Sequence, residues 1–234
     1  MLYTVVTGAS KGMGKAIVEQ LLSCGCAVAV CGRNEKDLRD AVDIWRKTYE
    51  DSDIIWMAAD MATAEGVNAF SELITNSFPQ VDVLINNAGG YTPGNITEEQ
   101  DTVLESMLAV NLWGPYRLCK ALAPVMKMQQ AGHIINICSI ASLKGYAGIG
   151  SYSISKYALL GLTDNLREEL RQYGVKVTAI CPGATWTSSW EGSDMPQSRI
   201  MEATDIAMIV WSAINLSPQA VAETIVLRPQ KGDV

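Results

Sequence analysis

The run Leu2-Tyr3-Thr4-Val5-Val6-Thr7-Gly8-Ala9-Ser10-Lys11-Gly12-Met13-Gly14 decides the fold. Its first half is apolar and β-branched, the composition of a buried strand. Its second half carries three glycines and leads into Met13, Ile17, Leu21 and Leu22, which recur at helical spacing. A strand, a glycine turn and a helix in that order bring backbone N–H groups to the positive end of the helix, where they can meet a pyrophosphate. The spacing is G-x-x-x-G-x-G rather than G-x-G-x-x-G. A methyltransferase can carry a glycine loop at the same place, so the loop alone does not name the ligand.

Outward from this run the chain alternates strand and helix. Strands are predicted at 2–7, 27–31, 53–57, 81–85, 133–139, 175–181 and 224–227. Helices are predicted at 12–23 and 64–78, and from an Asn34 cap with Asp37 three residues on, with Ile44 and Trp45 facing inward. A long helix over 97–128 should break or bend at Gly114-Pro115, and further helices cover 152–173 and 203–215. Such alternation implies an α/β fold, a doubly wound, mostly parallel sheet of about seven strands with helices on both faces. With no linker, repeat or low-complexity segment, residues 1–234 read as one domain.

Composition narrows the function. The net charge of −7 argues against nucleic acid as a bulk electrostatic partner. No apolar run is long enough for a bilayer, and Met1 leads straight into a strand without a basic leader, so a soluble cytoplasmic protein is expected. Most of the six cysteines fall in or beside strand-like segments, where a thiol packs as a small hydrophobe. The single histidine, His133, has no cysteine or acidic cluster near it, so no metal site is expected.

Two further stretches carry chemistry. After the second strand, where NAD-binding folds place an acid for the ribose hydroxyls, the chain reads Cys31-Gly32-Arg33-Asn34. Arg33 would meet a 2′-phosphate through a charge-assisted pair, with Lys11 as a second charge. One such pair at ~4 Å is worth about 4 kcal/mol before desolvation, at an effective dielectric near ~20. A solvated arginine at a strand end is the plainer alternative. The second stretch is Ser151-Tyr152-Ser153-Ile154-Ser155-Lys156, with Ser139 thirteen residues before the tyrosine. On a helix, Tyr152 and Lys156 rise from one face. An ammonium held beside a phenol favours the phenolate, which suits acid/base work nearer neutral pH. Alone, Y-x-x-x-K arises by chance in many helices.

With the glycine loop, Asn86-Asn87-Ala88-Gly89, Asn111, Ser139, Tyr152, Lys156 and Pro182-Gly183 in this order, almost the whole chain resembles the short-chain dehydrogenase/reductase family. The resemblance implies a Rossmann-type fold and an NADP(H) cofactor. Thr7, Gly8, Ser10, Lys11, Gly12, Met13 and Gly14 would form the cofactor loop, and Asp60 with Met61 would meet adenine. Asn87, Ala88 and Gly89 would line the nicotinamide ribose, with Pro182 and Gly183 in the turn near the nicotinamide. Either Thr185 or Thr187 would hold the carboxamide. Asn111 would hold a water in a proton relay, Ser139 would bond the substrate carbonyl, Tyr152 would be the acid/base, and Lys156 would bind the ribose. Hydride would pass between nicotinamide and a carbonyl carbon while donors stabilise the charge on oxygen.

The family's usual lid is short here, about 184–202, and rich in Trp186, Trp190 and Met195. These either wall an open apolar cleft or simply pack. The C-terminus lacks the glycine-rich ending common in acyl-carrier-protein ketoreductases, and is more similar to sepiapterin-reductase-like and broad-specificity carbonyl-reducing members. The expected substrate is therefore a small carbonyl compound or its alcohol. A ketoacyl thioester is the alternative substrate, and a non-catalytic dinucleotide-binding regulator the alternative class. The resemblance also implies a homodimer or homotetramer, packed through the Gly114 helix with Leu118, Leu122 and Met126, and the Tyr152 helix with Leu159, Leu162 and Leu166, some of which must face the protein's own sheet.

Overall fold

A computed structural model describes residues 1–187, 190, 192 and 194–234. Of the expected lid, positions 188, 189, 191 and 193 lie outside the described residues. Seven strands, β1 (Tyr3–Thr7), β2 (Ala27–Gly32), β3 (Ile54–Ala58), β4 (Val83–Asn86), β5 (Gly132–Ile137), β6 (Val175–Pro182) and β7 (Thr224–Leu227), form one sheet in the order β3-β2-β1-β4-β5-β6-β7. Every pairing is parallel. Because successive side chains alternate faces, β1 sends Val6 to one core and Val5 to the other. The first core lies under α1 (Gly12–Ser23), α2 (Glu35–Thr48) and α7 (Ala203–Ile214). The second lies under α3 (Ala64–Ser77), α5 (Gly114–Gln129) and α6 (Gly150–Leu170). No helix among the described residues is long and apolar enough to cross a membrane.

Asn34 caps α2 as expected, its side chain accepting the Asp37 N–H at 3.1 Å. The helix buries Leu38, Ala41, Val42 and Trp45, a stripe at i, i+3, i+4 and i+7. Ile44 falls off that stripe and is 52% exposed, so only Trp45 of the expected inward pair faces the core. The long helix expected over 97–128 is three pieces: α4 (Asp101–Leu108), a π-helical segment (Ala109–Trp113) and α5. The break comes from the wider i→i+5 turn just before Gly114-Pro115, and it holds Asn111. Ser139 lies beyond the end of β5, where its side chain caps a short 3₁₀ turn (Ile140–Ser142) instead of continuing the strand.

The leucine-rich faces assigned to subunit packing are mostly the protein's own core. Leu118, Leu122, Met126 and Leu159 are buried, and Leu162 and Leu166 pack against the same clusters. Exposed apolar side chains of this region include Trp113, Tyr116, Met128, Ile154 and Tyr157. A buried polar chain crosses beneath them. Asn86 on β4 donates to the Asn136 side chain of β5 at 2.8 Å, and Asn136 donates to Thr163 of α6 at 2.8 Å. Thr163 closes the chain by donating to the Leu159 carbonyl at 2.7 Å.

Candidate active site

The sheet order reverses between β1 and β4, and in an open parallel sheet a crevice opens at the carboxyl ends there. Thr7 ends β1 and ties its two sides together. Its hydroxyl accepts the N–H of Asn87 at 3.0 Å and of Ala88 at 2.9 Å. The Asn87 side chain returns the link, donating to the carbonyls of Thr7 and Gly8, each at 3.0 Å. The glycine loop then fits against this seam. Gly8 has φ +67°, and a Cβ on Gly14 would stand 2.2 Å from the Gly8 carbonyl oxygen, so α1 could not start so close with any side chain there.

A cavity of about 330 Å³ opens over the seam. Eight of the expected cofactor residues line it: Gly8, Ser10, Lys11, Arg33, Asp60, Met61, Ala88 and Gly89. Thr7, Gly12, Met13, Gly14 and Asn87 of the turn do not line the cavity, nor do Tyr152, Lys156, Pro182, Gly183, Thr185 and Thr187. A larger hollow of about 670 Å³, between the start of α7 and the end of β7, contains none of the expected site residues. The Asp60 carboxylate accepts the Ala62 N–H at 2.9 Å. Lys11 does not reach into the cavity unpaired: its ammonium lies 2.8 Å from the Asp37 carboxylate. Arg33 is exposed and makes no ion pair among the described residues. Cys31, Gly32, Asn34, Asp37, Ala59 and Val110 also line the cavity and were absent from the sequence-based list. Burial pushes the Cys31 thiol up to about 12, so it stays an inert wall.

None of the expected catalytic residues lines the cavity, but Asn111 and Lys156 adjoin Gly89, which does. A Cβ on Gly89 would stand 3.0 Å from the Asn111 side-chain oxygen and 3.6 Å from the Lys156 ammonium. Both Asn111 amide hydrogens are used, on the Gly90 carbonyl at 3.0 Å and Ser155 Oγ at 2.8 Å, and its oxygen accepts the Gly90 N–H at 2.9 Å. Lys156 is buried, donates to the Ile137 carbonyl at 2.8 Å, and holds its ammonium 5.9 Å from the Tyr152 ring centre. Ser139 Oγ accepts the Ala141 N–H at 3.1 Å, which leaves its own hydrogen to donate. No hydrogen bond joins Ser139 to Tyr152 among the described residues.

Tyr91, which sequence reasoning missed, lies edge-on to Tyr152 with ring centres 5.1 Å apart. Desolvation, and then the neighbouring Tyr152, raise its phenol above the usual range. Next to Ser139, the free Cys138 thiol is hydrogen-bonded to the free thiol of Cys181; that hydrogen bond and burial hold Cys138 well above the ordinary thiol range. Pro182 ends β6, and the Gly183 N–H bonds the Leu227 carbonyl at 2.8 Å. The Thr185 hydroxyl is turned to the Gly183 carbonyl at 3.0 Å, whereas the Thr187 side chain lies over Gly12 of the cofactor loop. No cluster of potential metal ligands occurs among the described residues.

A glycine turn at the carboxyl ends of a parallel sheet, with a tyrosine–lysine pair on the α6 helix, is the arrangement of a dinucleotide-dependent oxidoreductase class. The sequence profile of the short chain dehydrogenase family matches residues 3–197, and the chain belongs to that family. An uncharacterized oxidoreductase of Staphylococcus epidermidis is 30% identical over 225 residues, 96% of each chain. A metagenomic short-chain oxidoreductase solved in complex with NADP is 32% identical, with a TM-score of 0.85 over 98% of this chain and 97% of that one. An alcohol dehydrogenase of the archaeon Thermococcus sibiricus, solved with 5-hydroxy-NADP, is 26% identical, with a TM-score of 0.90 over 98% and 97%.

Proposed function

We propose that the protein is an NADP(H)-dependent oxidoreductase of small carbonyl compounds or their alcohols, with Tyr152 as the acid/base. The observation that carries this reading is a cavity lined by Arg33, Lys11 and Gly89, with Asn111 and Lys156 adjoining Gly89. NADP and 5-hydroxy-NADP in two similar structures support the choice of cofactor.

The residues fit the group. The glycine loop would take the pyrophosphate, Arg33 the 2′-phosphate, and Asp60 with Met61 the adenine end. Lys156 spends one hydrogen on Ile137 and keeps two for ribose hydroxyls. Either Thr185, whose hydroxyl donates to the Gly183 carbonyl at 3.0 Å, or Thr187, whose side chain lies over Gly12, would hold the carboxamide. When bound, the dinucleotide supplies a hydride to a carbonyl carbon or accepts one from an alcohol. Ser139 and Tyr152 would donate to the substrate oxygen as charge grows there, and Tyr152 would deliver the proton. Asn111 acts by positioning: it fixes Gly90 and Ser155, and Ser155 in turn bonds the Tyr152 carbonyl at 2.7 Å. Tyr91 would form an aromatic wall beside the reacting oxygen. We also propose a homodimer or homotetramer through the exposed Trp113, Tyr116, Ile154 and Tyr157.

The test is oxidation of NADPH and NADH by the purified protein with aldehydes, α-diketones, a pterin and an acetoacetyl thioester. Turnover with NADPH on a small carbonyl, lost in Tyr152→Phe while NADPH binding persists, is the expected result. Near-normal kcat in Tyr152→Phe would overturn the acid/base assignment. Turnover of the thioester alone would move the substrate to the acyl-carrier class.

A further inference from the structure

We infer that Asp37 is a specificity-determining residue that holds down the preference for NADP over NAD by competing for Lys11. The inference rests on the NADP reading of the crevice and concerns how strongly that preference is expressed. Four charged side chains line the cavity: Lys11 from the glycine loop, Arg33 after β2, Asp37 in the first turn of α2, and Asp60 after β3, whose carboxylate accepts the Ala62 N–H. Lys11 is bound to Asp37 at 2.8 Å, and Arg33 has no ionic partner among the described residues. The end that would receive a 2′-phosphate therefore carries two cations, one of them already neutralised by an internal anion.

Helix capping does not account for this placement. An acid three residues after the cap commonly turns back to the N–H of the capping residue. Here the cap is made by Asn34, which accepts the Asp37 backbone N–H, while the Asp37 carboxylate is turned out to Lys11. The carboxylate is thus spent across the crevice instead of on its own helix. A 2′-phosphate against Arg33 must share Lys11 with Asp37 and bear the repulsion of a carboxylate. A ribose hydroxyl meets the opposite situation, because a carboxylate accepts its hydrogen. Asp37 acts against the phosphate and for the hydroxyl at one position, so NADH remains usable beside NADPH.

The experiment is a titration of NADPH and NADH by cofactor fluorescence, with no substrate present, on wild type, Asp37→Asn, Lys11→Gln, the double variant and Arg33→Ala. Asparagine keeps the backbone N–H that Asn34 caps, so α2 should start unchanged, and equal melting temperatures would verify this. In Asp37→Asn the Kd for NADPH should fall roughly 10-fold, a change of about 1.4 kcal/mol, while the Kd for NADH stays level or rises. Because Lys11 is 57% exposed, the gain should shrink as salt rises from about 0.01 M to about 1 M. It should also shrink when Lys11 is already glutamine. An NADPH Kd that is unchanged or higher in Asp37→Asn overturns the inference, and so does a gain of equal size without Lys11. Arg33→Ala separates the two layers. If it leaves the NADPH-to-NADH ratio untouched, the NADP reading falls; if it lowers the ratio and Asp37→Asn adds nothing, only the role of Asp37 falls.

Discussion

Replacing Thr7 by valine would test whether the crevice is held together by one hydroxyl. Valine keeps the shape and removes the oxygen that accepts from Asn87 and Ala88. Thr7 is buried at 2% exposure, but both donors belong to half-buried residues, so water can recover part of the loss. Leaving a buried donor unsatisfied costs about 1–3 kcal/mol. The lower bound for each of the two N–H groups gives about 2 kcal/mol, or a fall of roughly 4–8 °C in melting temperature for a chain of this size. Asn87, Ala88 and Gly89 share one turn, so NADPH binding should weaken in the same variant. Thermal unfolding followed by circular dichroism, with fluorescence titration of the cofactor, reads both effects. Thr7→Ser keeps the oxygen and should restore most of each. A Thr7→Val protein melting within about 1 °C of wild type, with unchanged NADPH affinity, would refute the argument.

Two other outcomes are expected. His133 is buried on β5, and desolvation, with Lys176 second, lowers it to about 4. Its folded value lies below the unfolded one near ~6.5, so the unfolded chain takes the proton first, and stability falls as pH drops from about 6.5 toward 4. The loss at pH ~4.5 is about 2–3 kcal/mol; urea unfolding of His133→Gln should lack it, and an identical loss in that variant would dismiss the argument. For the assembly, sedimentation of wild type at micromolar concentration should give a dimer or tetramer, and Trp113→Asp with Tyr157→Asp should shift it to monomer. A monomeric wild type ends the oligomer proposal.

Much of the fold was legible because its signals are local. The runs behind all seven strands are short and mostly apolar, five of them closed by glycine, proline or asparagine, and the Asn34 cap needs only three residues of context. The candidate pair Tyr152 and Lys156 was legible as a pattern of spacing, since the two share a helix face whatever surrounds them. The misses have a common cause. Ile44 and Trp45 are adjacent, and only the docking of α2 decides which one turns inward. Leu118, Leu122 and Met126 read equally well as an outer stripe or a core stripe until the sheet is in place. The Lys11–Asp37 pair joins a loop to the next helix across the crevice, which no spacing rule reports. The π-helical segment around Asn111 differs from the expected helix by one hydrogen-bond step, so its apolar pattern barely changes.

The asparagine–asparagine–threonine chain inside the sheet bears on how α6 finds its rotation. Thr163 lies seven residues after Lys156 and eleven after Tyr152, two and three turns along the same side of the helix. The bond from Asn136 that fixes Thr163 therefore fixes the direction in which the tyrosine and lysine point. Hydrophobic packing alone would tolerate α6 rolled by a fraction of a turn, because leucine and alanine contacts are interchangeable over such distances. A buried amide left without a partner is not. Aim, in this protein, is a property of the interior, and the bond that sets it involves none of the residues assigned to the reaction.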